Sequence, residues 1–262
     1  MAQWNKQDQA YRVQDTTNFE VVMLADQDGN PLNSYGSAAN IPIAAGDLDG
    51  YSHINKFGYR DSLASTFQAI WDGATAYPYI GTAGPATVTS DDTDDAGAVI
   101  SVYGLDENYN DVSEDLTIGT PGAVNFIRVF RALVKTPATG ETTNVGKISV
   151  TVDGAARAFI LAGAGQTLMA VYTIPAGKTA YLMKFQGSID KSNGETKFRF
   201  MARPFGGAFN VKGQFGTAAG SPVTYDYPVP LKFTEKTDLE VRALSGSTLG
   251  AGATFDLILV DN

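Results

Sequence analysis

The sequence has no cysteine and one histidine in 262 residues. The first absence excludes disulfides, thiol nucleophiles and cysteine-ligated zinc. The second leaves His53 without companions for a histidine metal site, and YSHINKFG carries neither a GxSxG elbow nor an HExxH pattern. His53 reads as a packing or hydrogen-bonding residue of an extended segment. Long apolar runs are missing too: Phe159–Gly165 and Leu257–Val260 are far too short to cross a bilayer. MAQWNKQDQAYRVQ has no hydrophobic stretch of the kind a secretory signal needs, so synthesis in a cytoplasm and no membrane partner are expected. Positive charge is scarce, with 19 basic against 28 acidic residues and a net charge of −9. Such a surface repels phosphate backbones, and no nucleic-acid partner is expected.

What is present points to strands. Hydrophobic residues make up 44% of the chain and charged ones 18%, a folded composition, and 28 glycines and 11 prolines supply turns. Residues 1–60 lack a sustained period and are broken by Asp28-Gly29, Asn30-Pro31 and Asp49-Gly50. FEVVML (19–24) predicts one strand of a hairpin whose mate lies across DQDGNP. The remainder reads as an extended arm that packs on a partner or a neighbouring subunit. In DSLASTFQAIWDG the spacing of Leu63, Phe67, Ile70 and Trp71 predicts one short helix over 61–72. From about residue 75 the period is two: AVISVY (98–103), VSEDLTI (112–118), FIRVFRALV (126–134) and KISVTV (147–152) read as strands of a small β-sandwich. A second set of about eight strands fills 155–262, beginning after a short linker at Asp153-Gly154-Ala155-Ala156, and suggests a jelly-roll-like sandwich. The expectation is an all-β protein with an extended N-terminal arm (1–60), a β-sandwich domain (61–153) and a jelly-roll-like β-sandwich domain (154–262).

Several stretches imitate functional motifs. GLDENYNDVSEDLTI (104–118) gathers Asp106, Glu107, Asn108, Asn110, Asp111, Glu114 and Asp115 like a cation loop. An EF-hand counted from Asp106 fails, because the bend position is Asp111 instead of Gly and the bidentate position is Thr117 instead of Glu. The loop reads as an exposed hairpin turn; a weak calcium ion shared with SDDTDDAG (90–97) is the alternative. Gly177-Lys178-Thr179 ends like a phosphate-binding loop, but position 172 is Tyr and a strand follows, so Pro175-Ala176-Gly177-Lys178 reads as a turn. ARPFGGAFNVKGQFG (202–216) offers Arg203, Lys212, Phe205, Phe209 and Phe215. These form either a stacking platform or a strand pair whose phenylalanines enter the core, and the acidic balance favours the core. Surface aromatics such as Tyr225, Tyr227 or Phe209 would serve a glycan-binding module. A glycan-degrading enzyme would need two carboxylates in a cleft, one with a raised pKa, and no such pair is evident. No catalytic, cofactor-binding or metal-ligating residue is assigned, and no cofactor is expected.

SHINKFGY (52–59), IWDGATAYPYI (70–80), VYGLDENYNDVSEDLTI (102–118), FIRVFRALV (126–134), AVYTIPAGKTAYL (170–182), FTEKTDLEVRA (233–243) and FDLILVDN (255–262) carry a resemblance of phrasing through most of residues 50–262. In these stretches the chain resembles virion structural proteins of tailed bacteriophages, especially those of marine and cyanobacterial hosts. The resemblance implies a non-enzymatic particle component on the virion exterior. It would be a head-surface decoration or fibre protein, homo-oligomeric, and held by its N-terminal arm to other virion proteins of the capsid or tail. A tail or baseplate adaptor for receptor-binding fibres is the alternative. The resemblance supplies no site residues.

Overall fold

The computed structural model describes residues 2–5, 10–14, 20–24, 40–73, 75–192, 194–218 and 220–262. Two compact units emerge: Met1–Ile54 with Ile258–Asn262, and Asn55–Leu257. In the first, β1 (Ala2–Asn5), β2 (Ala10–Gln14) and β3 (Glu20–Leu24) form an antiparallel sheet in that order. β3 is the strand expected at 19–24, but it pairs with the preceding β2, setting Met23 opposite Tyr11. The mate expected beyond DQDGNP lies outside the described residues. A short helix, α1 (Asn40–Ala45), follows and ends at Gly46, whose φ of 79° suits a residue without a Cβ.

The chain continues through β4 (Tyr51–Arg60), β5 (Gln68–Ala69), β6 (Gly84–Ser90), β7 (Val99–Asp106), β8 (Asp111–Thr117), β9 (Pro121–Thr136), β10 (Ile148–Val152) and β11 (Ala155–Ile160). It is completed by β12 (Val171–Thr173), β13 (Lys178–Ile189), β14 (Glu195–Arg203), β15 (Asn210–Ala218), β16 (Val223–Phe233), β17 (Asp238–Ser245) and β18 (Ala251–Asp261). The protein is all-β, as its period-two runs predict.

The first set of strands makes a six-stranded antiparallel sheet in the order β11-β10-β6-β9-β7-β8. Its curvature has local causes. β9 is 16 residues long and shifts register against β7 at three places, and bulges of this kind bend a strand. At one of them, a Cβ on Gly104 would stand 1.9 Å from the Arg128 carbonyl oxygen, so only glycine fits. Residues 70–73 and 75–80, outside regular strands, contribute Trp71, Tyr77 and Ile80 to the core of this sheet. Trp71 and Tyr77 meet edge-on there at 5.1 Å, buried with Ile100, Val102, Phe126, Ile148 and Val150. Asp153-Gly154, expected as a linker, is the two-residue turn of the β10–β11 hairpin. Both residues have positive φ, and Val152 pairs with Ala155. β11 therefore extends the first sheet.

The second set makes two sheets, β12-β17-β14-β15 with β5 added beside β17, and β16-β13-β18-β4. Chain order crosses between these sheets at every connection from β12 to β18 except the β14–β15 hairpin. β18 shows the sequence logic most plainly, with Ala251, Ala253, Phe255, Leu257 and Leu259 alternately buried. Phe200 meets Phe255 edge-on at 5.2 Å, and Phe185 stacks on Phe215 at 4.5 Å, so the sheets interlock through aromatic rings. The expected arm over 1–60 ends in a strand, since residues 51–60 are the β4 edge of this sheet.

The helix predicted over 61–72 is absent. Leu63, Ile70 and Trp71 are buried as the spacing requires, but their backbone groups bond elsewhere. Leu63 N–H donates to Leu249 O, Ala69 N–H to Thr75 O and Ile70 N–H to Val241 O. A twelve-residue helix is marginal by itself, and pairing with existing strands displaces it.

β16 has an irregular edge. Its register against β13 breaks between Leu182 and Lys184, so Tyr227, Pro228, Val229 and Pro230 leave the ladder, and Val229 is 79% exposed.

Candidate functional site

The acidic hairpin between β7 and β8 uses its polar groups on itself. The Asp106 carboxylate accepts from Asn108 N–H (2.8 Å), Asn110 N–H (2.9 Å) and Asn110 Nδ2 (3.0 Å). Slight desolvation opposes ionisation, but these bonds outweigh it and hold Asp106 below the ordinary carboxylate range. Its neighbours disperse. Glu114 accepts from Ala123 N–H (2.7 Å) and Val124 N–H, while Asp115 accepts from Ser101 Oγ (2.6 Å) and pairs with Lys135. Glu107 and Asn108 are exposed at the tip. The geometry is that of a turn, closed by Tyr109 at a φ of 68°.

The second acidic stretch is structural in a way its sequence does not announce. Asp95 is fully buried and accepts from Ser90 Oγ (2.6 Å), Val145 N–H (2.7 Å) and Gly146 N–H (2.9 Å). Asp91 accepts from Lys147 N–H at 2.7 Å, and Asp92 caps a 3-10 turn through Asp94 N–H. Together they fasten the segment before β10. Among the described residues no three His, Asp or Glu side chains converge as a metal group.

Gly177 is the left-handed corner of a turn, φ 72°, and its N–H donates to Glu235 at 2.6 Å. β13 begins at the next residue, so no helix N-terminus faces the glycine. His53 is exposed on β4. The aromatic stretch divides. Phe215 is half-buried against Phe185, and Phe209 is half-buried 5.5 Å from Tyr79. Phe205, expected in the core, is 66% exposed. It sits in the β14–β15 turn beside Gly206 (φ 70°), where the tight Gly207 N–H to Pro204 O bond keeps it outside the sheets. Tyr225 and Tyr227 lie 4.7 Å apart on β16, whereas Phe209 belongs to a different cluster.

That cluster is a dense polar group of the Asn55–Leu257 unit. Asp238 accepts from Arg128 Nε (2.7 Å) and Nη2 (3.2 Å), from Arg203 Nη2 (2.6 Å) and Nε (2.9 Å), and from Thr173 Oγ1 (2.6 Å). Glu240 accepts from the Tyr79 hydroxyl at 2.9 Å and pairs with Arg242. Burial raises the Glu240 pKa, with Arg242 opposing. Arg128 lies over Tyr79 and Tyr109, Arg203 over Tyr79 and Phe209, and Arg242 over Phe209. Every carboxylate is satisfied, so the group holds β9 to β14 and β17. Arg128 and Asp238 are 110 positions apart, and no local pattern links them.

Two further ionisable groups were not legible. Lys56 is buried, with Nζ donating to the Phe130 carbonyl, and burial aided by Arg131 lowers its pKa to about 7. Asp72 lines a cavity of about 180 Å³ with Arg60 and Asp61, and its buried Oδ2 has no partner among the described residues. Burial, with Asp61 adding to it, raises Asp72 to about 7 against a hydrogen bond from Leu168 and the charges of Lys147 and Arg60. A carboxylate pair thus exists, but the cavity is below the size of ordinary small-molecule sites. Arg60 is committed to Gln68 Oε1 and Gly73 O.

No family model matches the sequence, and no curated protein matches it. Among solved structures, the chain is similar to the structure of infectious bursal disease virus Gx strain at 10% identity, over 80% of this chain and 70% of the other, with a TM-score of 0.24. It is similar to the Gt strain of that virus at 10% identity, over 81% and 73%, TM-score 0.21. The VP2 subviral particle of the same virus gives 10% identity over 82% and 73%, TM-score 0.18.

Proposed function

We propose that the protein is a non-enzymatic structural component of a bacteriophage particle, a head-surface decoration or fibre protein attached through its N-terminal segment. The observation that carries this reading is the separateness of β1, β2 and β3. They form a sheet of their own and fall in a different compact unit from Asn55–Leu257. A small separate sheet is suited to docking on a neighbour, and an extended segment can also add to a partner's sheet edge. The resemblance to phage virion proteins over residues 50–262 supports the same assignment. So does the use of the acidic loops as turns and fasteners.

The partners are other virion proteins and further copies of the chain, and the place is the outside of the particle. The test is a chain that begins at Asp49 and so keeps β4 whole. It is expected to fold cooperatively yet to be missing from purified particles, in which the full chain is present in many copies. Undiminished incorporation would remove the attachment role from the N-terminal segment. A copy number matching the tail instead of the head would favour the adaptor.

A further inference from the structure

β15 and β16 are both outer strands, one closing each sheet of the second sandwich. They approach where Phe215 meets Tyr225 at 5.6 Å. Elsewhere a groove of about 290 Å³ is lined from both, with Lys212 on one lip and Lys232 on the other. Leu231 and Phe233 give it an apolar wall; Thr234 lines it exposed and Thr237 lines it buried. No carboxylate lines it. Among the described residues neither lysine makes an ion pair or side-chain hydrogen bond, although the chain as a whole carries −9. Two cations have been placed on one groove without counter-ions.

The surroundings add a ring and a third cation. Pro204, at the groove, leads into exposed Phe205, and Lys236 immediately precedes the groove residue Thr237. Lys236 Nζ is 5.5 Å from the Phe205 ring centre, and Phe205 stands edge-on to Tyr109 at 5.6 Å. Two acids adjoin groove residues in sequence and both are occupied: the Glu235 carboxylate accepts from Gly177 N–H, and Asp238 accepts from Arg128, Arg203 and Thr173.

We infer that this groove binds an acidic saccharide, one or two residues of a carboxylated glycan. The ligand's carboxylate sits between Lys212 and Lys232, a hydroxyl meets exposed Thr234, and the C–H face of a sugar ring lies on the apolar wall or on Phe205. Free phosphate would use the cations and leave the wall and ring idle. A long polyanion would meet the repulsion of the whole chain. The volume is at the lower bound for small-ligand sites, which limits the ligand to this size. The inference rests on the groove alone and is independent of the virion reading.

The test is titration calorimetry on the full-length protein with galacturonate, mannuronate and sialic acid oligomers, and with methyl-esterified galacturonate as the neutral control. Saturable binding of at least one acidic oligomer is expected, at least tenfold tighter than its ester. K212Q/K232Q is expected to weaken it at least tenfold, and F205A several-fold, with unchanged melting temperatures because these side chains are exposed. Several results would overturn the inference: no saturable binding by any acidic oligomer, binding unaffected by K212Q/K232Q, or equal competition by millimolar phosphate or by tetraglutamate.

Discussion

On β4, the ammonium of Lys56 is buried with a backbone carbonyl as its hydrogen-bond acceptor and the Phe130 ring 5.7 Å away. Its pKa in the folded chain is about 7 against 10.5 for a free side chain, so folding favours the neutral amine. The linkage has a definite sign. A depressed pKa contributes stability that is present above pH 10.5 and lost as the pH falls towards 7. Lys56→Met removes the group and should therefore stabilise the protein by roughly 1–3 kcal/mol below pH 7, with the gain fading towards zero at high pH. Thermal melts of both proteins between pH 6 and 10.5 measure this directly. A gain that is equal at all pH values would mean that packing, and not the charge, is responsible. Asp72 works in the opposite direction: its raised pKa favours the folded state most at acid pH, and that contribution is lost as pH rises through about 7.

Among the elements, the two acidic stretches give a paired prediction. Asp95 and Asp106 each accept three hydrogen bonds, but Asp95 is fully buried and fastens a segment 50 residues away, whereas Asp106 only shapes its own exposed turn. Asp95→Ala strands one buried and one half-buried amide donor and should cost about 2–4 kcal/mol. Asp106→Ala should cost about 1 kcal/mol or less. Urea denaturation of the two variants distinguishes them, and similar losses would contradict the contrast in burial. The strands are legible because alternation survives in short windows, as in VSEDLTI of β8. The 61–72 segment is not, because its apolar spacing is real while its hydrogen bonds go to Val241 and Leu249, outside any local window. Likewise the sequence displays Arg128, Asp238 and Glu240 only as charges on strands, and Arg203 only as a stacking candidate beside Phe209; their meeting depends on the sheet order. Phe205 was misplaced for the reverse reason, since a turn glycine on its C-terminal side lifts an apolar residue out of a run that otherwise looks like core.

For the whole molecule, the position of β4 sets where the chain can be shortened. A chain starting at Asp49 keeps all four strands of the β16-β13-β18-β4 sheet, while one starting at Asp61 loses β4 and uncovers β18. The shorter chain should melt several degrees lower, as expected for a change of a few kcal/mol in a protein this size, or be recovered as aggregate. Equal melting temperatures would show that β4 adds nothing to the body. The opposite margin of that sheet is built differently. Pro228 and Pro230 carry no amide hydrogen, and the four residues that leave the ladder interrupt what would otherwise be a continuous row of donors and acceptors. A second backbone cannot zip along such a row, so the margin does not nucleate cross-β growth even when the chain is crowded at high concentration.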